Sequence, residues 1–238
     1  MSGTLAVARR LLLALRGDRR TLGLVLAAPV FIIYLFSEVF PQSQRVAPIL
    51  LGVFVFVLTY LLTAIGFLRE RTAGTLERVL VAPVSHTGVV LGYVLGFGVL
   101  ATVQSAVLLG AGVYFLGVEF EHGVALFFLI EILGALTALG LGILLSVFAH
   151  NEFQVMQFVP VVIAPQAILG GVFVPIEALP VYLELPARVM PVTYILQGMN
   201  YVVLGMGETT DLWLAVGVLC AFTVLSVVVA GAVVGRAG

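Results

Sequence analysis

The sequence predicts an all-α integral membrane protein with six transmembrane helices, and two observations lead to this fold class. The first is composition: of the 238 residues, 62% are hydrophobic and 10% are charged, whereas soluble domains carry about 25% charged residues. The second is that the apolar residues form long runs, and a helix needs about 20 of them to cross a bilayer. A soluble core of this size could not bury so much apolar surface, so we expect lipid to surround most of the chain.

Six apolar runs are long enough to span the bilayer, and each is predicted to form one transmembrane helix. The third is long enough to be tilted. The fifth is the weakest because Pro160 and Pro165 interrupt it, so five spans is the alternative count. The predicted spans cover residues 22–40, 47–68, 89–116, 124–148, 155–174 and 212–234.

The arginines predict the orientation, because cytoplasmic loops carry an excess of basic residues. All eleven basic residues are arginine. Only Arg45 and Arg188 fall on one predicted side, so we expect the other side and both termini to be cytoplasmic. The lysine-free composition, rich in Ala, Val and Gly, favours the plasma membrane of a prokaryote. The cytoplasmic arginines are then Arg9, Arg10, Arg16, Arg19, Arg20, Arg69, Arg71, Arg78 and Arg236.

Residues 1–20 are predicted to form a cytoplasmic amphipathic helix. The apolar stretch 5–15 is too short to span, and Arg9, Arg10 and Arg16 cluster on one side of its helical projection. A helix of this kind lies in the membrane interface; a frayed tail is the alternative. The arginines also argue against a cleaved signal sequence.

The absence of some residue types excludes several enzyme classes for these 238 residues. Without lysine there is no P-loop ATPase, Schiff-base or Ser–Lys mechanism. The single cysteine, Cys220, allows no internal disulfide, and His86, His122 and His150 are scattered over different loops without a ligand set. We therefore expect a chain that is not an enzyme and that binds no metal and no nucleic acid.

A charged segment, residues 69–86, lies between the second and third predicted spans and begins RERTAGTLERVLVAPVS. Gly74 breaks the preceding helix, and Thr75 is a suitable N-cap for a short helix. Pro83 ends that helix, and Ser85 can cap the next span. The apolar face of the short helix would lie on the bilayer or dock into a groove of another protein. That face consists of Leu76, Val79 and Leu80.

A proline-rich segment precedes the last span. Its prolines divide the chain into pieces too short to cross a bilayer. We therefore predict short re-entrant helices at the outer face over 175–200, which would close the top of a pathway; an ordinary outer loop is the alternative. The prolines are Pro175, Pro180, Pro186 and Pro191.

Both segments resemble the ABC-2 family of ABC transporter permeases. Members tend to have a basic-acidic cluster, Gly-Thr-Leu-Glu, an apolar pair, a proline and a serine between the second and third spans. After the fifth span they tend to have small residues, an aromatic residue, a proline, Leu-Pro and then Pro-x-x-Tyr. The matching residues are Arg69, Glu70, Arg71, Gly74, Thr75, Leu76, Glu77, Leu80, Pro83 and Ser85, and then Gly170, Gly171, Phe173, Pro175, Leu179, Pro180, Pro191 and Tyr194.

The resemblance implies one ABC-2-type transmembrane domain over 1–238, acting as the permease subunit of an ATP-driven exporter. Two copies, or two related chains, would form the substrate pathway. A separate cytoplasmic P-loop ATPase would bind ATP and Mg²⁺, and residues 69–85 would form the coupling helix that contacts it. One position departs from the family, because Gln197 and Asn200 stand where many members have a basic residue. We therefore do not expect this chain to contact lipid headgroups or an anionic substrate through a basic group at that position.

Three polar residues inside the predicted spans are candidates for the pathway: Glu131, Gln104 and Gln157. Glu131 could instead be protonated in place, or bonded to Gln104 or Ser105. An intramembrane acid also suggests a proton-coupled secondary transporter, but the sequence shows no second intramembrane charge and no internal repeat. A non-transporting membrane scaffold is the remaining alternative. The substrate cannot be derived, although a mostly apolar pathway would suit a lipid-like or amphipathic drug.

Overall fold

The computed structural model describes residues 3–40, 43–80 and 85–237, and all the regular secondary structure in these ranges is helical. Six helical elements in these ranges are long and apolar enough to cross a membrane, which confirms the predicted number of spans. Five of them are the continuous helices α2 (Arg19–Val39), α3 (Ser43–Thr72), α5 (His86–Leu116), α6 (Val124–Ser146) and α11 (Thr209–Ala237).

The fifth span is a composite helix. It runs over Glu152–Val172 and alternates ordinary helix with wider π turns. Pro160 and Pro165 cause the irregularity, because each lacks an N–H and its ring crowds the preceding turn. The predicted interruption of this span is therefore confirmed. Its parts are α7 (Glu152–Phe158), a π turn (Val159–Ile163), α8 (Ala164–Ala167) and a second π turn (Ile168–Val172).

Short helices complete the bundle: α1 (Gly3–Gly17), α4 (Thr75–Leu80), a 3₁₀ turn (Ile176–Ala178), α9 (Val181–Val189) and α10 (Pro191–Leu204). The 14 residues of α10 are too few to cross a bilayer. α10 nevertheless packs deep in the bundle against α3, α6 and α11. Glycines allow this close packing, since Gly52 of α3 and Gly134 of α6 both face Ile195. That α9 and α10 form a re-entrant pair in the membrane stays a prediction.

The N-terminal helix α1 packs on the first half of α5. Val7, Ala8 and Leu11 are buried there, and the contact depends on glycine. A Cβ atom at Gly92 would lie 2.6 Å from Cβ of Val7 and 2.9 Å from the carbonyl oxygen of Thr4. This glycine-rich face of α5 therefore serves packing within the chain. The position of α1 relative to the bilayer stays a prediction.

We expect Gly92→Leu to destabilise the protein by about 1–3 kcal/mol, because the new side chain must push α1 away from α5. The measurement is thermal unfolding of the purified protein in detergent. Gly110→Leu in the same helix is the matched control, since no described atom lies within 4 Å of a Cβ built there. Equal losses in the two variants would contradict the packing of α1 on this face.

Candidate functional site

The sequence Arg69–Glu70–Arg71 lies at the end of α3, and each of its three side chains contacts a different part of the chain. Together they connect the end of α3 to α1, α4, α5 and α7 and to the residues that follow α6. We name this set of residues the polar junction. Its members are Arg10, Arg69, Glu70, Arg71, Thr75, Tyr93 and Glu152.

Glu70 is the centre of the polar junction. Its Oε2 accepts hydrogen bonds from Nη2 of Arg10 at 2.6 Å, Oγ1 of Thr75 at 2.7 Å and Oη of Tyr93 at 3.1 Å. The three donors belong to α1, α4 and α5. One carboxylate therefore fixes three helices to the end of α3. Its side chain is only 14% exposed, so solvent screens these bonds weakly.

Arg10 carries a stable positive charge opposite Glu70. Burial of Arg10 disfavours that charge, but hydrogen bonds and charge attraction to Glu70 and Tyr93 outweigh the burial and raise the pKa of Arg10 above its ordinary value. The same Nη2 also donates to Oη of Tyr93 at 2.9 Å. The ion pair and the tyrosine hydroxyl therefore form one closed network, which strengthens each of its bonds.

The two arginines beside Glu70 extend the polar junction to α6 and α7. Arg69 makes a two-nitrogen contact with Glu152 at the start of α7, at 2.6 and 3.2 Å. Both side chains are about half exposed, so this pair contributes little stability, about 0–1 kcal/mol. Arg71 donates to the carbonyl oxygens of Val147 and Ala149, which follow the end of α6. A guanidinium at this position satisfies carbonyls that the helix leaves unpaired.

The path from α3 into α4 depends on Gly74. Its φ is +68°, a left-handed conformation that glycine adopts without a steric penalty and that commonly ends helices. The predicted helix break is thus confirmed. Thr75 is the first residue of α4 rather than the residue before it, and its hydroxyl donates to Glu70 instead of capping the helix. Ser85 accepts a hydrogen bond from the N–H of Gly88 and caps α5, as predicted.

The apolar face of α4 corrects one expectation. Leu76 is 5% exposed and packs with Phe67 and Tyr93, and Val79 packs on the same cluster. Leu76 is therefore covered within the chain, because the turn at Gly74 folds α4 back onto α3 and α5, while Val79 is only partly buried. The side chains of Glu77 and Leu80, and all of Pro83, lie outside the described residues.

In the predicted outer segment, residues 175–200, the prolines separate short helices as expected, with one exception. Pro175 and Pro180 directly precede the 3₁₀ turn and α9, and Pro191 is the first residue of α10. Pro186 does not divide the chain as expected, because α9 continues through it with the loss of one backbone hydrogen bond. The predicted gate residue Phe173 is 75% exposed.

Tyr194, the other predicted outer residue, connects α10 to α9 by donating to the carbonyl oxygen of Arg188 at 2.7 Å. It also lines a cavity of about 530 Å³ at this predicted outer end, together with Gln197, Asn200 and Asp211. A cavity of this size could hold a small molecule. Gln197 and Asn200 thus occupy the cavity wall at the place where the resemblance led us to expect a basic group.

The spacing of residues gave no indication of the role of His122. This residue lies between α5 and α6, and its ring stacks on Tyr201 with centroids 4.1 Å apart. Its backbone N–H donates to the carbonyl oxygen of Val202, and its Nδ1 lies 2.9 Å from the carbonyl oxygen of Tyr201. These contacts attach the loop between α5 and α6 to the end of α10.

The three polar candidates inside the spans differ in burial, and none is hydrogen-bonded to another. Glu131 is fully buried, and neither of its carboxylate oxygens has a hydrogen-bond partner among the described residues. The side chains of Gln104 and Ser105 also have no hydrogen-bond partner among the described residues, so the alternative in which Glu131 bonds to either of them is not seen. Gln157 is exposed on α7 and does not share this burial.

Gln104 lies on the side of α5 that faces α3. Phe97 packs on Gly66, and Leu51 packs against Gly112, which sets an antiparallel register between the two helices. Gln104 stands midway between the two contacts on α5, and Thr59 stands midway on α3. Both are fully buried, and the Thr59 hydroxyl and the Gln104 amide have no hydrogen-bond partner in the described ranges. The interface of α3 and α5 therefore has a polar centre.

Comparison with known proteins agrees with the resemblance in the two segments. Residues 3–204 match the family model described as "ABC-2 type transporter". The match begins at α1, passes through the polar junction and ends with α10.

Three curated relatives illustrate the similarity. The probable multidrug ABC transporter permease YbhR of Escherichia coli (strain K12) is 27% identical over 149 residues, covering 63% of this chain and 40% of the relative. The linearmycin resistance permease protein LnrN of Bacillus subtilis (strain 168) is 25% identical over 173 residues, 72% of this chain and 45% of the relative. ABC transporter G family member 20 of Dictyostelium discoideum is 28% identical over 171 residues, 71% of this chain and 23% of the relative.

The chain thus matches less than half the length of each of these relatives. The family model, in contrast, covers most of this chain, residues 3–204. The six spans fit a multi-pass protein of the cell membrane. The chain belongs to the ABC-2 type transporter family.

Proposed function

We propose that this chain is the membrane permease subunit of an ATP-driven exporter, paired with a second copy or a related chain to form the substrate pathway. A separate cytoplasmic P-loop ATPase binds ATP and Mg²⁺ and supplies the energy. Family membership supports the permease assignment. The lack of lysine in the 238 residues supports a separate ATPase, since a P-loop needs its lysine on the phosphates.

The observation that carries the coupling role is the position of Glu70. This carboxylate connects α1, α3, α4 and α5 through three hydrogen bonds. A displacement of α4 by a partner would therefore move the ends of α3 and α5 with it. The neighbouring arginines pass the same displacement to α6 and α7.

In this proposal the members of the polar junction are positioning residues. Their side chains contact other parts of the chain, and Leu76 packs in the interior. The contact with the ATPase therefore falls to the other residues of the 69–85 segment. The substrate class we propose is an amphipathic drug-like compound, because the spans are mostly apolar and the names of YbhR and LnrN refer to multidrug transport and linearmycin resistance.

The test of this function is purification of the protein from its native membrane in a gentle detergent, followed by mass-spectrometric identification of bound chains. We expect a P-loop ATPase at a fixed ratio to this chain. A preparation without any ATPase, in which protease also cuts the 69–85 segment readily, would contradict the proposal.

Glu131 distinguishes the ATP-driven permease from a proton-coupled carrier. A charged carboxylate in the bilayer centre costs about 2.5–3.5 kcal/mol, and Glu131 has no described partner to offset that cost. We therefore expect the carboxyl group of Glu131 to be neutral. Glutamine has nearly the same shape as this neutral form and is also uncharged. Glu131→Gln should unfold at an unchanged temperature and retain ATP-dependent transport in reconstituted vesicles. Loss of transport with intact assembly would favour the proton-coupled alternative.

A further inference from the structure

A groove between α1, α2 and α3 lies beside the polar junction, and most of its wall belongs to residues outside that set. Its volume is about 490 Å³, within the range of small-molecule sites. It remains open because α2 packs mainly along α5 and less along α3. Only 11% of the α2 span is buried, so the groove faces the surrounding lipid. Apolar side chains form most of its wall, among them Leu15, Leu24, Val25, Leu58, Leu61 and Ile65.

The groove is amphipathic along its length. On α3 its lining extends from Leu58 to Glu70, a rise of about 18 Å at 1.5 Å per residue. This matches the depth of one leaflet, about half of a 30 Å hydrocarbon core. The charged lining residues, Asp18, Arg69 and Glu70, all lie at the end that is predicted to be cytoplasmic.

Arg69 provides a donor at this mouth. Its Nε and Nη2 bond to Glu152, which leaves the two N–H groups of Nη1 for another acceptor. The side chain is 54% exposed. Basic groups at the cytoplasmic ends of membrane helices bind lipid phosphates, and a guanidinium suits phosphate better than an ammonium group does.

We propose that the groove binds a glycerophospholipid of the cytoplasmic leaflet, with one acyl chain along α3 and its phosphate at Arg69. The lipid then borders the polar junction and stabilises the end of α3. This site lies within one chain and does not depend on the identity of the exported substrate.

The test uses the intact protein in vesicles of phosphatidylethanolamine and phosphatidylglycerol. The probe is phosphatidylethanolamine with a photoactivatable diazirine in one acyl chain, and the labelled peptides are identified after irradiation. We expect adducts on the groove wall, at 58–65 of α3 and 11–15 of α1. Ala14→Phe should reduce this labelling about tenfold, since displacing two methylene groups costs about 1.6 kcal/mol. Ala14 is exposed and lines the groove.

The matched control is Ala6→Phe, the same change at an exposed position of α1 outside the groove, and it should label like the unchanged protein. Val25→Phe blocks the groove from α2 and replaces Ala14→Phe if that variant does not fold. Two results would contradict the proposed site. In one, the lipid-facing side of α5 is labelled as strongly as the groove wall; in the other, labelling persists in the blocked variants. Equal labelling by a diacylglycerol probe, which carries no phosphate, would overturn the contact of the phosphate with Arg69. Cross-links to a second copy of the chain in place of lipid would assign the groove to a protein interface.

Discussion

Glu70→Ala is expected to destabilise the protein by about 3 kcal/mol and to uncouple ATP hydrolysis from transport, without preventing membrane insertion. The substitution leaves the partly buried guanidinium of Arg10 without its carboxylate, and breaking such a pair by removing one partner is costly. It also removes the acceptor for Thr75 and Tyr93. α4 then loses its polar connection to α1 and α5. The measurements are thermal unfolding and substrate-stimulated ATP turnover of the purified complex.

A matched control is Glu152→Ala, which removes the half-exposed partner of Arg69 and should cost at most about 1 kcal/mol. A double-mutant cycle of Arg10→Ala and Glu70→Ala separates the pair from the other contacts of each residue. A coupling energy near zero, or unchanged turnover in Glu70→Ala, would contradict the central position of this carboxylate.

Leu76→Ala is expected to cost about 2–5 kcal/mol, the usual range for a leucine removed from a packed core. The large effect follows from its 5% exposure within the cluster that includes Phe67 and Tyr93. Loss of this contact should also release α4 from α5, so that protease cuts the 69–85 segment faster. The measurement combines thermal unfolding with limited proteolysis in native membranes.

The control for Leu76→Ala is Leu5→Ala, since Leu5 is 50% exposed on α1. That variant should change stability by less than about 0.5 kcal/mol. If Leu76→Ala were equally mild, while cross-linking to the ATPase were lost, Leu76 would face the partner and the inward packing of α4 would be wrong.

The spans and their breaks were predictable because they depend on local properties of the sequence. Bilayer thickness fixes the length of an apolar run, so all six spans were found within a few residues of their observed ends. The effects of Pro160, Gly74 and Ser85 were also local, since each acts on its own turn of backbone. Pro186 was the exception, because its neighbours hold α9 together across the lost hydrogen bond.

The polar junction was not predictable from the sequence, because its partners lie far apart along the chain. Glu70 contacts Arg10, which is 60 residues away, and Tyr93, which is 23 residues away. Charge alone placed Arg10 on the cytoplasmic side and gave no partner for it. The sequence also did not predict that Leu76 packs inside the chain, for a related reason. Helical spacing identifies the apolar face of a short helix but not the surface against which it packs.

Site-specific photocross-linking from α4 tests the coupling proposal most directly. A photoactivatable amino acid in place of Arg78 would be irradiated in native membranes, with Glu121 in the α5–α6 loop as the control position. We predict that position 78 forms an adduct with an ATP-binding subunit and that position 121 does not. An intact complex in which position 78 labels only lipid or this chain, while another cytoplasmic segment labels the ATPase, would contradict the proposal that residues 69–85 couple the two subunits.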